Sequence, residues 1–297
     1  MFIIYNFGKI GIAMPYSQLL SNENPGYILI LIDQSGSMLG SFGGTTGGSK
    51  AEECAKAVNR VLREIGLNCT KGTEIRNRCD ISVLSYGASG NQAKNAFSGN
   101  LASKPIVTMQ DLAQNCLRVD SVKRKTSDGA GGLVEVEDDF PIWIEPFAIG
   151  STPMAASFEM ACNLVDGWIK SHQSSFPPVV INISDGAPDS QSDVQNAVSK
   201  LSQLGTSDGT TLILNAHISD GNSAKVALPS SVNELPSGDS FAKFLFDISS
   251  ELPPVLLERA GAVGYSPKAG ARGFVYNADA ETMIKLLNIG SVGTELQ

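Results

Sequence analysis

The sequence predicts an α/β fold, a doubly wound, mainly parallel central sheet with helices on both faces. The unbroken apolar run over 27–32 reads as a strand buried on both faces, and the largely apolar segments 81–86 and 179–183 read as further strands. Segments with helical apolar spacing separate them, and in the second half strand and helix alternate regularly, as in a parallel sheet covered by helices. The chain has 297 residues, 42% hydrophobic and 18% charged. It is long enough for one domain with an elaboration.

The first strand, 27–32, runs into Asp33-Gln34-Ser35-Gly36-Ser37 and a Gly-rich loop over 40–48. A helix over 49–65 follows, with Ser49 as N-cap. Ala51, Cys54, Ala55, Val58, Val61, Leu62 and Ile65 form its inner face, and Glu52, Lys56, Arg60 and Glu64 form an outer i,i+4 ladder. The strand at 81–86 completes a βαβ unit, whose crossover is expected to be right-handed.

Residues 88–150 are broken by Gly, Pro, Ser and Asn. Val134 and Val136 alternate with acids, and Phe140, Ile142 and Ile144 alternate past Pro141, which predicts two short strands with one exposed face. Thr152 as N-cap and Pro153 at the first helical position start a helix to about Lys170, with Met154, Phe158, Ala161, Val165 and Ile169 facing the sheet. Then come the strand at 179–183, a helix over 190–204 burying Val194, Ala197, Val198 and Leu201, and a strand at 211–216. A helix over 239–250 is broken by Pro253-Pro254. A short strand at 274–276 and a last helix, 279–289, close the fold.

Composition excludes some functions. A net charge of -8 argues against a nucleic-acid partner, and Lys123-Arg124-Lys125, the one basic run, reads as a solvated loop. Cys54, Cys69, Cys79, Cys116 and Cys162 form no Cys-x-x-Cys pair and are odd in number, which is thiol usage of a reducing compartment. Cys54 and Cys162 fall on apolar helix faces. No segment approaches the roughly 18 apolar residues of a membrane span, so no membrane partner is expected. Residues 1–13 are apolar but lack a leading positive charge, unlike a signal peptide. Met14 is an alternative start, which would make them a start-site artefact that an intact-mass measurement would reveal.

Three junctions carry the chemistry. Asp33, Ser35 and Ser37 offer a carboxylate and two hydroxyls at the C-terminal end of the first strand, where an open α/β sheet places its ligands. Ser151-Thr152-Pro153-Met154 offers a hydroxyl, and Ser184-Asp185-Gly186 a carboxylate after the second buried strand. All are hard oxygen donors, which suit Mg²⁺, Mn²⁺ or Ca²⁺ better than zinc. Taken singly, each junction reads as an Asx turn, an N-cap or a turn. Their joint occurrence favours one shared ion.

The order Asp33-x-Ser35-x-Ser37, Thr152, Asp185 resembles the metal-ion-dependent adhesion site (MIDAS) of von Willebrand factor A (VWA) domains, of the stand-alone bacterial or archaeal type. The resemblance implies a Rossmann-like VWA domain over 27–290 with an insertion at about 88–150, an N-terminal extension 1–26 and a tail 291–297. It further implies direct metal contacts from Ser35 and Ser37, with Asp33, Thr152 and Asp185 exchanging between direct and water-mediated contact. One coordination position would then remain for an Asp or Glu of a protein partner. Related domains couple this grip to sliding of their last helix, and occur with AAA+ ATPases or with kinases and phosphatases in stress or defence assemblies. The expected function is therefore a cytoplasmic, non-enzymatic interaction module, with 88–150 bordering the metal and helping to choose the partner.

Two alternatives stay open. One is a metal-dependent phosphohydrolase, although Ser35 stands where such enzymes place a second acid. The other is a scaffold with a purely structural metal. Other motifs are weaker. Residues 43–50 lack the Gly-Lys-Ser/Thr of a phosphate loop. No nucleophile elbow surrounds Ser35 or Ser37, and neither His172 nor His217 has a local triad signature. Asp128-Gly129, Asp208-Gly209 and Asp220-Gly221 read as turns rather than calcium loops.

Overall fold

The computed structural model describes residues 15–42, 48–87, 90–127, 132–218 and 224–291. The alternative start, most of the Gly-rich loop, Asp128-Gly129, Asp220-Gly221 and the tail beyond residue 291 lie outside the described residues.

The first strands in chain order are β1 (Gly26–Asp33), β2 (Thr70–Lys71), β3 (Glu74–Ile75), β4 (Cys79–Gly87), β5 (Gly90–Asn95) and β6 (Val107–Thr108). They are followed by β7 (Arg118–Ser127), β8 (Leu133–Ile142), β9 (Val179–Ser184), β10 (Gly205–Thr206) and β11 (Gly209–Thr210). The last are β12 (Leu212–His217), β13 (Val226–Ala227) and β14 (Phe274–Tyr276). The helices are α1 (Lys50–Asn68), α2 (Met109–Gln114), α3 (Met154–Ser171), α4 (Gln191–Leu201), α5 (Ser240–Ile248), α6 (Pro254–Ala262) and α7 (Ala280–Gly290).

The central sheet runs β13-β14-β12-β9-β1-β4-β5, with β6 also on β4. β1 pairs in parallel with β4 and β9, β9 with β12, and β12 with β14, while β5, β6 and β13 are antiparallel edges. Every residue of β1, β4, β9 and β12 is buried, which explains why β1 holds an unbroken apolar run and why the other three are mostly apolar. Alternate residues feed two cores. Ile28, Ile30 and Ile32 join Val58, Leu62, Met283 and Leu286 on one face, while Tyr27, Leu29 and Leu31 join Phe158, Val165, Val194 and Leu245 on the other. Helices thus cover both faces. Chain order reverses at β1, because the chain leaves β1 for β4 on one side and later returns to lay β9 on the other. The crevice at the C-terminal ends of β1 and β9 is the place such a sheet reserves for ligands.

Local signals held where they were short-range. Ser49 caps α1 in a reciprocal capping box with Glu52, so Glu52 turns back to the cap instead of joining the outer ladder, where Arg60–Glu64 remains an i,i+4 pair and Lys56 pairs with Glu53. Asp239 and Asp279, where the helices over 239–250 and 279–289 were expected to begin, cap α5 and α7.

Four expectations require correction. Thr152 does not cap α3, since Pro153 takes that position and the helix begins at Met154. Pro253-Pro254 ends no helix, because Pro254 opens α6 at a first-turn position where its missing N–H is harmless. Residues 133–142 form one strand that continues through Pro141, paired along its length with β7 as a two-stranded arm. Finally, Lys123-Arg124-Lys125 lies within β7 and not in a loop.

The arm returns to the body through a buried polar anchor. Asn59 of α1, 2% exposed, accepts Trp143 N and Ile144 N at 2.9 and 3.0 Å and donates to Ile144 O at 2.8 Å. One side chain satisfies three backbone groups of a segment that enters the core without a strand partner. Asn59→Leu is expected to cost about 3 kcal/mol in urea denaturation, because each buried group left unpaired carries a penalty of about 1–3 kcal/mol. A loss under about 1 kcal/mol would show that the segment holds itself.

Candidate metal centre

β1 delivers Asp33 and β9 delivers Ser184 and Asp185 to neighbouring strand ends, because Ile32 pairs with Ile183. Asp33 is fully buried. Its Oδ1 accepts Ser35 N at 2.8 Å, and Ser184 Oγ donates to its Oδ2 at 2.8 Å. A 3₁₀ turn, Gly36–Leu39, then carries Ser37 back over the crevice. The Ser35 and Ser37 hydroxyls are 3.0 Å apart, and Ser37 Oγ donates to Asp185 Oδ1 at 2.7 Å. Two sequence-distant corners thereby share one run of hydrogen bonds, with the solvent-exposed Ser37 as its middle member.

The third corner is joined through its backbone. Ile149 N donates to Gln34 O at 2.7 Å, and Gly36 N donates to Gly150 O at 3.0 Å. Asp189 ties the same loop to the region after β9, accepting Thr152 N through Oδ1 at 3.1 Å while its own N–H donates to Thr152 O at 3.1 Å. Among the described residues, the Thr152 hydroxyl makes no hydrogen bond to the other four candidates. Asp33, Ser35, Ser37 and Asp185 are therefore brought together, and Thr152 stands on the adjoining loop.

Two residues that the sequence reading missed shape the centre. Ser184 supports Asp33. Lys50, the first residue of α1, places its ammonium 2.8 Å from Asp185 Oδ2, with side chains 5% and 0% exposed respectively. Neither has a local signature, since the partners are 151 and 135 residues apart in sequence. Below the crevice a polar chain crosses three strands. Tyr86 donates to Asn182 at 2.8 Å, Asn182 to Asn215 at 3.0 Å, and Asn215 to Ser249 at 2.9 Å.

Asp33 is a carboxylate whose charged form is disfavoured by burial. Burial pushes its pKa up to about 6, and Asp185 adds to the rise against the hydrogen bonds from Ser35 and Ser184. The Cys54 thiol behind it is pushed up by burial and then by both carboxylates, which leaves it inert. All five cysteines are free thiols. Burial lowers the pKa of His217, whose ring stacks on Tyr276 at 4.9 Å. His172 caps the end of α3 and stacks on Trp168 at 4.3 Å.

The donor set fits a hard divalent cation. Two carboxylates and two hydroxyls converge, and an ammonium already lies on one of the carboxylates. Among the described residues no cluster of three or more His, Cys, Asp or Glu is disposed to hold a metal. Among the same residues no helix is long and apolar enough to cross a membrane.

No family model matches the chain, and no curated protein matches it. Similar solved structures include the vWF domain of the type V pili tip protein Mfa5 from Porphyromonas gingivalis, 16% identical over 56% of this chain and 39% of that one, with a TM-score of 0.30. The PilB minor pilin of Streptococcus sanguinis is 10% identical over 89% of this chain and 60% of its own, with a TM-score of 0.39. The pilus adhesin SpaC of Lactobacillus rhamnosus GG is 11% identical over 93% of this chain and 31% of its own, with a TM-score of 0.44. The chain spans less than two thirds of the length of each of these structures.

Proposed function

We propose that the chain is a VWA-type, metal-dependent interaction module of a reducing, cytoplasmic compartment. Asp33, Ser35, Ser37, Thr152 and Asp185 would hold Mg²⁺, with Mn²⁺ or Ca²⁺ as substitutes. The bound ion would supply a Lewis-acidic position that a partner's Asp or Glu completes. The supporting observation is the continuous run from Ser35 through Ser37 to Asp185, beside Asp33, at the crevice where the strand order reverses.

The chain's own residues divide the remaining work. Ser184 and Ser35 N fix the Asp33 carboxylate, and Gly150 and Ile149 clamp the Thr152 loop to the Asp33 corner. Leu39, Phe147 and Ile149 stand 69%, 50% and 55% exposed on the two loops that frame Ser37, an apolar rim for a partner to cover around its acidic residue. The insertion of about 88–150 contributes two of these three, which gives it a part in partner choice. The partner class is an AAA+ ATPase or a kinase or phosphatase module of a stress or defence assembly.

Calorimetric titration with MnCl₂ and MgCl₂ tests the metal, and affinity capture from the native host with and without EDTA tests the partner. Ser37→Ala is expected to weaken Mn²⁺ at least tenfold, and to release the same proteins that EDTA releases. Wild-type protein that takes up neither ion would overturn the reading. Capture indifferent to EDTA would reduce the metal to a structural role.

A further inference from the structure

The proposed cation site has an occupant of opposite sign to its carboxylates drawn from the chain itself. Lysine is almost never buried unless paired, yet Lys50 is 4% exposed, with its ammonium on Asp185 Oδ2. It is held there by more than chance rotamer choice. Lys50 N donates to Gly40 O at 2.9 Å, Ser49 bridges to Ser41, and the Ser49 capping box fixes the first turn of α1. The placement also runs against the helix dipole, whose N-terminal end disfavours a cation. Asp185 is what an ammonium gains in that position.

Asp185 has two oxygens, and both are engaged. Oδ1 accepts Ser37 and Oδ2 accepts Lys50. A divalent ion held by Ser37 and Asp185 would therefore meet a positive charge already on the shared carboxylate, in a site with little water to screen the two. Resting on the metal reading above, we infer that Lys50 is a resident counter-cation. It neutralises Asp185 in the metal-free protein and gives up that carboxylate when metal enters, which weakens the site's intrinsic affinity.

Mn²⁺ titration of wild type, Lys50→Met and Lys50→Arg tests this. Lys50→Met keeps the stem and removes the charge, so Mn²⁺ is expected to bind it at least tenfold more tightly, whereas Lys50→Arg stays within about threefold of wild type. A measurement on the wild-type protein guards against a variant that fails to fold. Modification of Lys50 by an amine-reactive reagent, followed by mass spectrometry, should quicken several-fold when Mn²⁺ is added.

Equal or weaker Mn²⁺ binding by Lys50→Met, or a modification rate indifferent to Mn²⁺ at saturation, would overturn the inference and leave the metal site standing. Binding by Lys50→Met alone would uphold Lys50 as the occupant and overturn metal dependence in the natural chain. Binding by neither would overturn both.

Discussion

Asp33→Asn is expected to make the metal-free protein more stable at pH 7, by about 3 kcal/mol, while abolishing its metal affinity. Asp33 is fully buried and its carboxyl is held at about 6, against 3.8 for an unperturbed group. Burial is the main cause, partly offset by the hydrogen bonds from Ser35 and Ser184. The acid therefore has a folded-state value above its unfolded one. Above pH 6 it is ionised in both states and the folded protein carries the whole penalty. Between pH 6 and about 4 the folded state takes up the proton first, so stability rises as pH falls, and below that window the penalty is gone. Two units at 1.36 kcal/mol each give the magnitude.

The amide fits without repacking, because its NH₂ can face Ser184 Oγ while that hydroxyl turns to Gly186 O, 3.1 Å away. Urea denaturation in EDTA at pH 7 and pH 5 should show a gap between variant and wild type that narrows at the lower pH. Mg²⁺ at about 1,000 times its Kd should reverse the order, since it stabilises the wild type by about 4.1 kcal/mol. A variant less stable than wild type in EDTA at pH 7 would mean that Asp33 serves as a structural hydrogen-bond acceptor and not as a ligand held at a cost.

The same geometry explains what the sequence could and could not disclose. Strands β1, β4, β9 and β12 are buried on both faces, so each appears as a short, mostly apolar segment, and caps such as Ser49 bond within three residues. Asp33 and Asp185 could be picked out because each follows such a strand, whereas Thr152 follows irregular chain and could be picked out only from its place before α3. The β7–β8 arm was legible only in part, its second strand read as two short ones and its first not read at all. Val119, Val122 and Val134 stand exposed on it, so the alternation over 134–144 marks strand but not a buried face, and β7 has no apolar period of its own. Helix α6 was not legible, because its first residue is a proline that looks like a stop until its place in the first turn is known. Lys50 and Asn59 were invisible for a third reason: each is a polar residue whose burial is repaid by partners far along the chain.

Gly87→Ala should damage the fold and the metal centre together, through contacts that no ligand residue makes. Gly87 ends β4 with φ at +108°, and a Cβ there would lie 2.6 Å from Ser35 N, 2.7 Å from Gln34 C and 2.9 Å from Ser35 Cα. All three atoms are backbone, so no side-chain rotation relieves the clash. Gly150, at φ +88°, meets Gly87 O at 2.7 Å in the same way. Three backbones thus converge where only glycine fits, and Gln34 N on Tyr86 O at 2.8 Å holds them there.

The methyl group must push the Ser35 corner away from β4 or unpair the strand end. Left-handed strain of about 1–3 kcal/mol and overpacking of similar size together predict a loss of about 2–4 kcal/mol. Because ligands must sit within about 0.5 Å of productive geometry, Mn²⁺ affinity should fall at least tenfold even in the fraction that folds. Gly72→Ala separates the two effects, since Gly72 also has positive φ, at +63°, but a Cβ there meets nothing within 4 Å. It should cost about 1 kcal/mol and leave Mn²⁺ binding unchanged. If Gly87→Ala bound Mn²⁺ as tightly as Gly72→Ala, the Ser35 corner would not be a ligand, however much stability the substitution removed.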